Sequence, residues 1–151
     1  MDRALRIKIN IFEPDGIDWM NMKLSVNNPY TRHHIKERRN GGDNSLDNLA
    51  ILTKRSHNLL NILDRLCPDA YNDLQNVFRK INETGVHPSD EIINEIDLIL
   101  YKVLISKEYE FKEEIDLSSY IPYSILLRSA LMLGIYPSLF CIFEVFLTSA
   151  E

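Results

Sequence analysis

Polar and apolar residues alternate through Arg6-Ile7-Lys8-Ile9-Asn10-Ile11-Phe12, a period of two that predicts a strand, and Pro14-Asp15-Gly16 then predicts a reversal. Asn27-Asn28-Pro29 interrupts the chain ahead of a second short strand over Thr31 to Lys36. From Glu37 to Ser45 the residues are polar, with paired glycines, so a loop is expected before the apolar strand Leu49 to Leu52. Thr53 offers a side-chain oxygen to the orphan amides of a following helix. In that helix Leu59, Ile62, Leu63 and Leu66 share one face, while His57, Asn61 and Asp64 share another.

Further on, the spacing changes to three and four throughout. Cys67-Pro68 ends the first helix, and a second carries Leu74, Val77, Phe78 and Ile81 before closing at Gly85 to Pro88. A third opens at Ser89-Asp90-Glu91 and presents Ile92, Ile96, Ile99, Leu100, Val103 and Leu104. An acidic connector around Lys107 to Asp116 leads to two apolar helices, expected from Pro122 to Leu133 and from Pro137 to Ser149. The predicted class is α+β, mostly helical: residues 1–66 hold the strands and first helix, and residues 67–151 form a helical extension packed on them.

Length and composition limit the alternatives. A chain of 151 residues buries a core without staples, and its cysteines, Cys67 and Cys141, form neither a C-x-x-C pair nor a disulfide framework. The amino terminus does not read as a secretory signal, so a cytoplasmic location is expected. The longest uncharged run, Ser129 to Phe143, is broken by Gly134 and Pro137, whereas a bilayer span takes roughly 20 apolar residues, so membrane insertion is not expected. The apolar carboxyl-terminal half is expected either to complete the core or to meet a second copy or a partner protein.

Charge is unevenly spread. The net charge is -5, but Arg32 to Arg55 holds six Lys/Arg against three Asp/Glu, a balance of +3 that leaves -8 for the remainder. A local basic site on an acidic body suits focused phosphate binding rather than indiscriminate coating of nucleic acid.

In the same stretch stand three of the four histidines, in the order His33-His34, then Asn48, then His57, with Asn61 one helical turn further on. Singly, each is ordinary: a surface pair, a turn residue, a solvent-facing helix residue. His87, beside Pro88, reads as structural or solvated. Because successive strand residues point to opposite faces, His33 and His34 are suited to different tasks.

The joint order, with nine residues from Asn48 to His57, four from His57 to Asn61 and glycines in the connecting loop, resembles the HNH endonucleases. These belong to the ββα-metal, or His-Me finger, superfamily. The resemblance covers about thirty residues, and it implies two antiparallel strands and a helix around one divalent ion. It implies that His34 is the general base, an imidazole being able to take a proton near neutral pH. It implies further that Asn48 orients that base by tying the loop to the strand, and that His33, His57 and Asn61 are metal ligands. Many relatives carry histidine where Asn61 stands; an amide oxygen is a harder donor, which favours magnesium or manganese over zinc or nickel. Arg32, Lys36, Arg38, Arg39, Lys54 and Arg55 are candidate phosphate contacts. The activity implied is hydrolysis of DNA, with RNA left open as a substrate, in a phage, mobile-element, toxin or anti-phage setting. A lapsed module of the same fold, binding nucleic acid or a protein, is the alternative.

Overall fold

The computed structural model describes residues 2–105. The acidic connector and the two apolar helices expected beyond it lie outside the described residues. The order of elements is α1 (Arg3–Phe12), β1 (Tyr30–His34), β2 (Leu49–Thr53), α2 (Lys54–Leu66), α3 (Pro68–Thr84) and α4 (Asp90–Ile105). The class is therefore α+β and mostly helical, with one antiparallel sheet of two strands. No described helix is long and apolar enough to cross a membrane.

The first element corrects the sequence reading. Arg3 to Phe12 is a helix, not a strand, capped by the Asp2 carboxylate, which accepts from Ala4 N at 3.0 Å. Its buried side chains are Leu5, Lys8 and Phe12, spaced by three and four, while Ile7 and Ile11 of the alternating set face outward. Lys8 decides the face. Its ammonium donates to the Leu46 carbonyl at 2.7 Å and to the Asn82 amide oxygen, and it lies 4.7 Å from the centre of the Phe12 ring. Burial pulls this ammonium down to about 8, although nearby Asp47 favours its charge.

A turn does follow, with Asp15 and Gly16 in the left-handed region. Beyond it, Trp19 donates its backbone N–H to the Ile51 carbonyl, and all five β2 residues are buried. In the sheet Thr31 pairs with Leu52, His33 with Ala50 and His34 with Leu49. Between the strands the loop contains two short 3-10 turns, Arg38–Asn40 and Leu46–Asn48.

Thr53 caps α2 as expected, its hydroxyl accepting from Ser56 N at 3.4 Å. The cap is held in place by Asp18, a fully buried carboxylate from the loop before β1. One of its oxygens accepts from Met20 N and Met22 N, both at 2.9 Å; the other accepts from Thr53 N at 2.7 Å and the Ser56 hydroxyl at 2.5 Å. Burial pushes the Asp18 carboxyl up, against these donors, which pull it down.

Pro68 opens α3 at a position where its missing N–H has no helical partner, and Gly85 ends it in the left-handed region. One apolar core runs from Leu5 to Val103, with the Trp19, Phe78 and Met20 side chains among its largest. Trp19 is fully buried in that core.

Candidate active site

A cleft of about 320 Å³ opens where the end of β1, the loop after it and α2 meet, lined by Arg32, His33, His34, Glu37, Arg38, Arg39, His57 and Asn61. A larger hollow of about 600 Å³, beside α1 and the Pro14–Gly16 turn, contains no histidine. The smaller one gathers the chemistry.

His33 and His34 occupy different environments, as strand alternation requires. His33 is 5% exposed and edge-on to His57, with ring centres 5.1 Å apart. Its Nε2 meets the Gln75 amide of α3, at 3.2 Å from Oε1 and 2.9 Å from the amide nitrogen. Burial pulls its pKa down to about 4, aided by His57 and His34 and opposed by the Gln75 bond. His57 is lowered too, first by burial and then by His34.

The sign of the His33 shift gives a stability prediction. Unfolded, this imidazole takes up a proton near 6.5; folded, only near pH 4, so between those values the unfolded chain binds more protons. Stability is full above the unfolded value and falls as pH drops through the window, by about 3 kcal/mol in total. Urea unfolding at pH 7.5 and 4.5, compared with His33→Gln, checks it. A slope the same in both proteins would contradict the assignment.

His34 is half-exposed, and its Nε2 lies 2.9 Å from the Asn44 side-chain oxygen. With that oxygen as acceptor, Nε2 carries the hydrogen and Nδ1 the lone pair; the amide turned over would exchange them. Asn48 does not line the cleft. It ties the loop down from behind: Oδ1 accepts from Lys36 N at 2.6 Å, and Nδ2 donates to the carbonyls of Lys36 at 2.9 Å and Asp43 at 2.8 Å. The bonds to Lys36 join the two ends of the loop, next to β1 and β2, and the bond to Asp43 holds its middle.

The paired glycines have separate reasons. Gly41 has a φ of 81°, in the left-handed region. At Gly42 a Cβ would overlap the Lys36 carbonyl and press on Asn48 Nδ2 at 2.9 Å. Gly42→Ala is therefore expected to destabilise the fold by about 1–3 kcal/mol and to slow any reaction that depends on the loop. Denaturant midpoints test this; an unchanged midpoint would show that the loop has slack.

The basic residues divide into two groups. Arg32, Arg38 and Arg39 line the cleft, while Lys36, Lys54 and Arg55 do not. Arg32 pairs with Asp2, and Arg39 pairs with Glu37 and, at 2.7 Å, with Asp64. Glu37 also accepts from the Tyr71 hydroxyl of α3 at 2.9 Å. Burial, then Glu37 itself, pushes that phenol up. Arg39 is thus already partnered by two carboxylates, which a phosphate would have to displace.

Glu37, Asn44, Tyr71 and Gln75 are site residues that the sequence reading missed. The first two lie within ten residues of His34 in the polar loop, which was the available signal. Tyr71 and Gln75 sit on α3 and carried none. His87 lies outside the cleft, both ring nitrogens enclosed without a hydrogen-bond partner.

Among the described residues no three His, Cys, Asp or Glu side chains gather as a metal-holding group. The cleft is lined by three imidazoles, His33, His34 and His57, with the Glu37 carboxylate and the Asn61 amide, and among these are the donors the sequence assigned to an ion, His33, His57 and Asn61. Burial favours the neutral imidazole, the form that ligates, so these residues fit a divalent ion in their donor chemistry. Compared with protein-family models, curated proteins and solved structures, the chain matches none.

Proposed function

We propose that the chain is a metal-dependent HNH-type endonuclease that hydrolyses DNA phosphodiester bonds at the cleft between β1, its following loop and α2. One observation carries this reading: His33, His34, His57 and Asn61, which are separated by up to 28 residues of sequence, converge on one cleft walled by arginines.

His34 acts as general base. With Asn44 accepting from Nε2, the Nδ1 lone pair takes the proton of the attacking water. Asn48 keeps the loop that bears Asn44 against the end of β1, so the base keeps its orientation. Arg38 and Arg39 offset phosphate charge, Arg39 after exchanging a carboxylate partner for the phosphate. His33, His57 and Asn61 would hold the divalent ion, magnesium or manganese by the hardness of the amide donor. Such an ion supplies positive charge to the phosphate and the leaving oxygen.

The two carboxylates on Arg39 favour a second reading, a catalytically lapsed module of the same kind that grips nucleic acid or a protein. Incubation of the full chain with supercoiled and single-stranded DNA, in magnesium, manganese, zinc, nickel or chelator, separates the two. Nicking that chelator abolishes supports the nuclease. Retention of DNA without cleavage in any of these ions supports the module and overturns the nuclease.

A further inference from the structure

The Thr31 hydroxyl stands between two groups. It lies 3.1 Å from the carbonyl of Leu52, its pairing partner across the sheet, and 3.2 Å from His57 Nδ1. A hydroxyl has one hydrogen to donate and lone pairs to accept with. With its hydrogen donated to the Leu52 carbonyl, which only accepts, the Thr31 oxygen faces His57 as an acceptor. His57 Nδ1 must then be the donor. A neutral imidazole carries one ring hydrogen, and with that hydrogen on Nδ1 the lone pair is on Nε2.

We propose that Thr31 is a positioning residue that locks His57 in its Nδ1–H tautomer, leaving Nε2 as the nitrogen that offers a lone pair to the cleft. Strand pairing supports the lock, because it holds the Leu52 carbonyl, which can only accept, against the Thr31 hydroxyl. His33 contrasts with it. Its Nε2 meets both polar atoms of the Gln75 amide, and that amide matches either tautomer by turning over. Of two histidines whose rings are 5.1 Å apart, one therefore has a fixed donor atom and the other an adjustable one.

Metal-ligating histidines characteristically bind through one nitrogen while the other donates to an acceptor that fixes the ring. Thr31 supplies that acceptor for His57. The consequence for metal binding rests on the nuclease reading, but the tautomer itself does not, and the two are measured separately.

The first measurement is a long-range ¹H–¹⁵N correlation spectrum of the imidazole rings of the full metal-free chain at pH 8. His57 is expected to show a protonated Nδ1 and a bare Nε2. Thr31→Val removes the acceptor and is expected to give a mixture of tautomers, while Thr31→Ser restores the wild-type pattern. A wild-type His57 protonated on Nε2 would overturn the inference without any variant. So would a Thr31→Val protein, folded by its amide spectrum, whose His57 signals are unchanged.

Calorimetric titration with manganese or zinc is the second measurement. Thr31→Val is expected to weaken binding by about 10–100-fold, with Ser restoring it. If the tautomer is as expected and wild type binds neither ion, the Thr31 assignment stands and the metal-nuclease reading falls.

Discussion

Replacing His34 by alanine is expected to slow DNA cleavage by about 10²–10⁴-fold, the contribution of a positioned general base. Metal affinity and unfolding are expected to change little. His34 is half-exposed at the last residue of β1, its ring is bonded to Asn44, and the fully buried core residues lie elsewhere. The donors proposed for the ion, on His33, His57 and Asn61, remain intact. A time course of supercoiled-plasmid nicking beside a thermal melt makes the comparison. A cleavage rate equal to wild type would remove His34 as the base, and a large fall in melting temperature would make it a structural residue instead.

Asp18→Ala is expected to have the largest effect on stability, about 3–5 kcal/mol. Alanine would leave four donors without an acceptor where the native side chain is fully buried: three backbone amides and the Ser56 hydroxyl. Asp18→Asn keeps one acceptor oxygen and is expected to fall between alanine and wild type. The effect reaches the cleft, because Thr53 and Ser56 form the first turn of the helix from which His57 and Asn61 project. Urea unfolding at neutral pH is the test, and a loss below about 1 kcal/mol would mean that water or a rearranged loop satisfies those donors.

Most of the local structure around the cleft was legible in the sequence because local rules determine it. The apolar strand from Leu49 to Leu52, the Thr53 cap, Pro68 at the start of α3 and Gly85 at its end each follow from a residue type at a known position. Arg3–Phe12 was misread because its apolar residues satisfy two periods at once. Leu5, Ile9 and Phe12 fit a helix as well as Ile7, Ile9 and Ile11 fit a strand. The decision comes from partners far along the chain, since Lys8 is buried only by meeting Leu46 and Asn82.

The same distance hid the part of the candidate site that α3 supplies. His33, His34, His57 and Asn61 were legible because order and spacing within thirty residues mark them. Gln75 and Tyr71 were not, since a polar residue on an amphipathic helix shows no sign of the imidazole or carboxylate it will meet. Nor was the pairing of Arg39 with Asp64, which lies 25 residues away on α2.

Helix α3 has a consequence for any attempt to transplant the cleft. It sends Gln75 to His33, Tyr71 to Glu37 and Asn82 to the carbonyls of Asp47 and Leu49, so it grips both strands and the loop between them. The strand–loop–strand–helix segment is therefore not a portable cassette. Grafted alone onto a foreign scaffold, it would keep its histidine spacing but lose the amide against one imidazole and the phenol that anchors its carboxylate. Carried with residues 67–85, it would arrive with its own template.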